Sequence, residues 1–201
     1  MNLFERVKNI LLSPAKEWEV VKAEQATVAD LFTKYAMILA AIPAIAGFIG
    51  YSVFGISLGI FGSYRVPIGT GILWAVLTYV LSLVGVFVIG FIIDALATSF
   101  GSTKDLTQSM KVAVYSYTAS WIGGIFMIFP TIGFLAGIAG IYSLVLIYMG
   151  LQRVKDVPKD KMVGYFVVTL ILAIVVYFVI GAITGAIAFS GMALGNFDLN
   201  M

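Results

Sequence analysis

Residues Ile68–Ala97 read IGTGILWAVLTYVLSLVGVFVIGFIIDALA, a run whose single charged side chain, Asp94, lies near its end. A helix needs about 20 apolar residues to cross the hydrocarbon of a bilayer. In that solvent the backbone must satisfy its own hydrogen bonds, which an unbroken apolar run does as a helix. Four further stretches have the same character: Tyr35–Ile60, Val112–Phe129, Ile132–Leu151 and Val163–Ala188. The chain of 201 residues is 61% hydrophobic and 11% charged, against roughly 45–50% apolar in a soluble domain. The expected fold class is all-α, a polytopic integral membrane bundle of five transmembrane helices. It is preceded by an amphipathic helical arm over residues 1–34 and followed by a short external tail over 191–201. The stretch 68–97 exceeds one upright span, so it tilts, projects from the membrane or bends near Gly85 or Gly90. Phe129-Pro130-Thr131 is too short to do anything but fold its flanking spans into a hairpin, and Pro43 should kink the first span.

The arm carries Leu3, Phe4, Val7, Ile10 and Leu11 at helical spacing with charged residues between them, then Ser13-Pro14 as the start of a second helix with Trp18 and Val21 on one face. Thr27-Val28-Ala29-Asp30 reads as a capping box opening the first span. Two placements fit this pattern: packing against the cytoplasmic face of the bundle, or lying in the headgroup layer with Trp18 as anchor. No apolar signal-peptide core precedes these helices.

Orientation follows from the basic residues. An inside N-terminus puts Arg6, Lys8, Lys16, Lys22, Lys34, Lys104, Lys111, Arg153, Lys155, Lys159 and Lys161 in the cytoplasm and only Arg65 outside. The tail, with Asp198 and no basic residue, is then external.

Histidine and cysteine are both absent. Thiol chemistry, imidazole bases and the usual transition-metal sites are therefore excluded, and no metal or cofactor is expected. No phosphate loop, dinucleotide fingerprint or nucleophile elbow occurs, so an enzyme is not expected. A net charge of +2 gives no footprint for nucleic acid. One acid inside a predicted span, Asp94, is a candidate for an ion or proton path. It is equally placed to reach the headgroups or pair with Lys104 or Lys111. The third span has Ser116 and Ser120 at helical spacing with Tyr115 and Tyr117 beside them, a polar face that lines a wet cavity or lets helices pack closely. Gly55-x-x-x-Gly59, Gly133-x-x-x-Gly137 and Gly181-x-x-x-Gly185 point to close packing. The loop around Arg153, Lys155, Lys159 and Lys161, together with Trp18, is the candidate contact for anionic lipid or an acidic partner, or else a plain positive-inside anchor.

The run GSTKDLTQSMKVAVYSYTASWIGGIFMIFP from Gly101, with Tyr115, Ser116, Tyr117 and the Pro130 turn, resembles the centre of the YIP (Ypt/Rab-interacting protein) family. Tyr148-Met149-Gly150-Leu151, Val157-Pro158-Lys159-Asp160-Lys161 and Leu12-Ser13-Pro14-Ala15-Lys16-Glu17-Trp18 are similar to its prokaryotic branch. The resemblance implies a five-span domain with a cytoplasmic N-terminus. Eukaryotic members bind Rab GTPases in vesicle traffic; this chain has Asp30-Leu31-Phe32-Thr33-Lys34 where they carry Asp-Leu-Tyr-Gly-Pro, so that role is not carried over. The expectation is a non-enzymatic protein of a prokaryotic inner membrane that scaffolds or shapes the bilayer, or binds a cytosolic partner, as a homo-oligomer or alone. The alternative is a small channel or transporter using Asp94 and the polar third span.

Overall fold

The computed structural model describes residues 2–57 and 63–193, with side chains to Ile187. Helices α1 (Leu3–Leu12) and α2 (Pro14–Ala23) form the arm. Asn2 caps α1 by accepting from the Glu5 amide at 2.8 Å, and Pro14 stands in the first turn of α2. The Thr27–Asp30 capping box is present with both reciprocal bonds and opens α3, a continuous helical run over Val28–Phe54. Wider π turns occupy Phe32–Ala36 and Ile49–Phe54 within it.

The first span was expected to run to Ile60. Helix α3 instead stops at Phe54, because Gly55 takes a left-handed φ of +81° that no helix can continue. A small antiparallel hairpin follows, β1 (Ile56–Ser57) with β2 (Ser63–Tyr64). Gly55 is thus a helix terminator rather than half of a helix-packing motif, and its partner Gly59, like Ile60, lies outside the described residues.

Helix α4 runs over Ile68–Phe100, α-helical to Leu96 without interruption and closing in a 3₁₀ turn. It does not break at Gly85 or Gly90. A Cβ at Gly90 would lie 2.4 Å from Met110 Sδ, and one at Gly85 2.8 Å from Ile180 Cδ1, so these positions admit neighbouring helices. The 29 α-helical residues measure about 44 Å at 1.5 Å each, longer than a roughly 30 Å hydrocarbon core.

The third predicted span is not one helix. It is α5 (Leu106–Ser116), a break at Tyr117, α6 (Thr118–Gly123) and a 3₁₀ stretch Gly124–Ile128. All of Ser109–Ser116 is buried, which explains the polar composition: a segment enclosed by other helices needs no lipid-compatible surface. A Cβ on Gly123 would come within 2.2 Å of Ala139 Cβ, and one on Gly124 within 2.5 Å of Pro43 Cβ. The Pro130–Ile132 turn leads into α7 (Phe134–Val154), and α8 spans Lys159–Ala193. The tail from 194, including Asp198, lies outside the described residues.

Among the described residues four helices are long and apolar enough to cross a membrane: Val28–Phe54, Ile68–Phe100, Phe134–Val154 and Lys159–Ile187. Their outer faces are apolar, with Ile72, Val76, Val80 and Phe91 exposed on α4 and Val163, Ile171, Ile174 and Phe178 on α8.

Candidate functional site

The charged residues gather where the arm meets the starts and ends of the long helices. Arg6 is 4% exposed although it belongs to an amphipathic helix. Its position, three after Leu3 and four before Ile10, puts it on the apolar stripe that faces the bundle. There its guanidinium donates to Glu17 at 2.6 Å and to Glu24, and lies 5.0 Å over the ring of Tyr115. Glu17, four before Val21, is buried by the same logic. Tyr35, on the first long helix, packs edge-on against Tyr115 at 4.8 Å and shares a 2.7 Å hydrogen bond with Thr118.

Lys111 stands one turn from Tyr115 and is enclosed. Its ammonium donates to the carbonyls of Val21 at 2.9 Å and Glu24 at 2.6 Å, closing the end of α2. This is the cation a helix C-terminus favours.

Trp18, for which packing on the bundle and anchoring in the headgroup layer were the two alternatives, has no exposed surface. Its ring rests where a Cβ on Gly150 would be 3.0 Å away, so it seats the arm on α7. Lys155, expected to meet lipid or a partner, is also buried. It donates to the carbonyl of Thr103 at 2.7 Å and pairs with Asp94 at 3.9 Å. Desolvation pulls its pKa down, while Asp94 and Asp105 act in the opposite sense. Arg153 reaches Glu19 at 3.4 Å, and Lys22 reaches Asp156 at 2.6 Å. Only Lys159 and Lys161 of that loop's candidates point outward.

Asp94 accepts from the Asp105 amide at 2.8 Å and from Ser109 Oγ at 3.1 Å. Neither Lys104 nor Lys111 is its partner; the cation beside it is Lys155. It therefore fastens the 101–105 loop to the start of α5, and no hydrogen bond joins it to Ser116 or Ser120. Ser120 bonds Ser143 at 2.8 Å, and Tyr117 stacks on Tyr177 at 5.3 Å. Ser116 is buried with its hydroxyl unpartnered. The polar face of the third segment is thus divided among separate helix contacts. Arg6, Glu17, Glu24 and Lys111 were not singled out in the sequence, although the positions of Arg6 and Glu17 on buried stripes marked them.

No group of three acidic, histidine or cysteine side chains able to hold a metal occurs among the described residues. Comparison with known proteins gives a consistent pattern. The chain is 28% identical over 174 residues to the inner membrane protein YohC of Escherichia coli K12, covering 85% of this chain and 89% of that protein. The same protein of E. coli O6:H1 matches equally. No solved structure matches. The Yip1 domain model matches residues 8–183, which takes in the second half of α1, Glu17, Glu24 and Lys111 of the buried charge network, and the long helices as far as residue 183 of α8, and the chain belongs to the Yip1 domain family.

Proposed function

We propose that the chain is a non-enzymatic integral inner-membrane protein that scaffolds and shapes the bilayer through its N-terminal helical hairpin. The observation that carries this reading is the depth of the hairpin. Tyr142 Oη donates to the carbonyl of Leu11 at 2.8 Å, next to the turn between α1 and α2. Tyr142 lies twelve residues before Val154 at the end of α7, about 18 Å along that helix. The hairpin therefore stands beside the bundle rather than beyond its end. Phe4 at 75% and Leu12 at 73% exposure face outward with Lys8 and Lys16 nearby. That is the make-up of a helix at the headgroup and acyl boundary, with lysines reaching back toward water. A hairpin in one leaflet adds area to that leaflet alone, and Lys159 and Lys161 add attraction for anionic headgroups.

In this reading the broken segment 106–128 is a fifth crossing, shielded from lipid by its neighbours over residues 109–124. The N-terminus is cytoplasmic and the C-terminus external, in keeping with the basic residues. The relative's designation as an inner membrane protein supports the location. Placement is tested with a fluorophore on Ser13→Cys in proteoliposomes. Quenching by brominated acyl chains and protection from aqueous iodide is expected; the reverse pattern rejects the leaflet position.

One observation favours the channel or transporter reading, the unpartnered buried hydroxyls of Ser116 and Thr169. Asp94, its proposed ionisable group, is committed to Asp105, Ser109 and Lys155. Ion and proton flux in proteoliposomes separates the two. The scaffold reading expects none, and flux lost in Asp94→Asn would overturn it.

A further inference from the structure

At the end of the bundle opposite the charge network, a cleft of about 200 Å³ is lined by Tyr51, Ile56, Tyr64, Val66, Trp74 and the helix α8 positions Gly181, Thr184 and Gly185. The main chain holds its walls in place: the Val66 amide donates to the Tyr51 carbonyl at 3.0 Å, and Tyr51 packs edge-on against Trp74 at 5.4 Å. On the far side a Cβ added at Gly181 or Gly185 would meet nothing within 4 Å, so the two glycines leave a slot along α8. Tyr64 is 5% exposed, and its buried hydroxyl has no hydrogen-bond partner. An unpaired buried hydroxyl is costly, and a phenol that donates needs an acceptor from elsewhere. Thr184, a hydroxyl of the same lining, donates back to Ile180 at 3.0 Å and makes no bond to Tyr64. Among the described residues no charged side chain lines the cleft.

An apolar slot whose polar groups are neutral, with Tyr64 Oη among them buried and unpaired, fits a slender hydrocarbon chain bearing a neutral carbonyl better than it fits a carboxylate, a phosphate or an ammonium group. We propose that the cleft binds one acyl chain of an ester-linked glycerolipid, with the chain against Gly181 and Gly185 and the ester carbonyl accepting from Tyr64 Oη. Aromatic residues at this level match the interfacial belt where ester groups reside. The site is separate from the hairpin and places a bound lipid in the leaflet opposite it.

The test is native mass spectrometry and lipid titration of the purified full chain with diacyl phosphatidylglycerol and its dialkyl-ether analogue. Wild type is expected to bind the diacyl form about fivefold more tightly, the effect of one neutral hydrogen bond. Tyr64→Phe should bind both lipids equally, and Gly185→Leu should bind neither well. Equal binding of ester and ether lipids by wild type, or an unchanged preference in Tyr64→Phe, overturns the proposal. So does a Gly185→Leu protein that retains lipid; if its oligomeric state falls at the same time, the slot belongs to a second copy of the chain. Should Gly185→Leu fail to fold, the ester–ether comparison in wild type and Tyr64→Phe decides alone.

Discussion

Replacing Arg6 by alanine removes the one cation that faces Glu17, whose side chain is 5% exposed. Glu24, at 31%, can turn to water. Stranding one member of a buried ion pair costs about 3–5 kcal/mol, and loss of the stacking on Tyr115 adds about 0.5–2 kcal/mol. That strain falls on the docking of α1 and α2 rather than on the long helices, whose own backbone bonds are intact. The native chain has no cysteine, so Val21→Cys, at a fully buried position of α2, is a clean reporter of undocking. Its maleimide labelling in detergent should accelerate at least about 100-fold when Arg6→Ala is added, the equivalent of about 3 kcal/mol. Arg6→Met with Glu17→Leu should restore most of the protection, since an apolar pair of similar size replaces a buried ion pair at little cost. Labelling at the parent rate in the single variant would refute the lock, as would a double variant no better protected than the single.

Asp94→Ala should lower the melting temperature more than Asp94→Asn, because both remove the anion beside Lys155 but the asparagine amide oxygen still accepts from the Asp105 amide; differential scanning fluorimetry reads the order. Gly50→Ala should destabilise by about 1–3 kcal/mol, since its Cβ would fall 2.0 Å from the Met127 carbonyl oxygen. Gly137→Ala, with nothing within 4 Å, should be neutral or stabilising by about 0.5–1 kcal/mol; chemical denaturation in mixed micelles checks both. Lys155 has a pKa lowered from 10.5, chiefly by burial. Between the lowered value and 10.5 the unfolded chain holds a proton that the folded chain has released, so its contribution to stability rises with pH through that window and is smaller below it. Thermal melts across the alkaline range should show a rise that Lys155→Met flattens.

Much of the architecture was legible because bilayer solvation leaves a plain mark: lipid-facing helices such as α4 and α8 are apolar almost throughout. The Thr27–Asp30 cap was readable for the same reason, since its chemistry is local. What hydropathy does not carry is a helix sheltered from lipid. Segment 106–128 broke at Tyr117 because its environment is protein, where a hydroxyl can find a partner, as Ser120 does in Ser143. Gly55 read as part of a packing motif because spacing says nothing of φ. The charge network was misjudged in one direction. Among the lysines counted on the cytoplasmic side, Lys111 and Lys155 are buried. Loop position predicts which side of the membrane a cation occupies, but not whether a carbonyl waits for it there.

The central claim is that segment 106–128 completes five crossings, with the arm and the charge network at the cytoplasmic end. In the cysteine-free background, Lys104→Cys and Thr131→Cys flank that segment at exposed positions. Labelling in oriented membrane vesicles with an impermeant maleimide is expected to reach Lys104→Cys only from the cytoplasmic side and Thr131→Cys only from the opposite side. Both sites labelling from the same side would contradict the account.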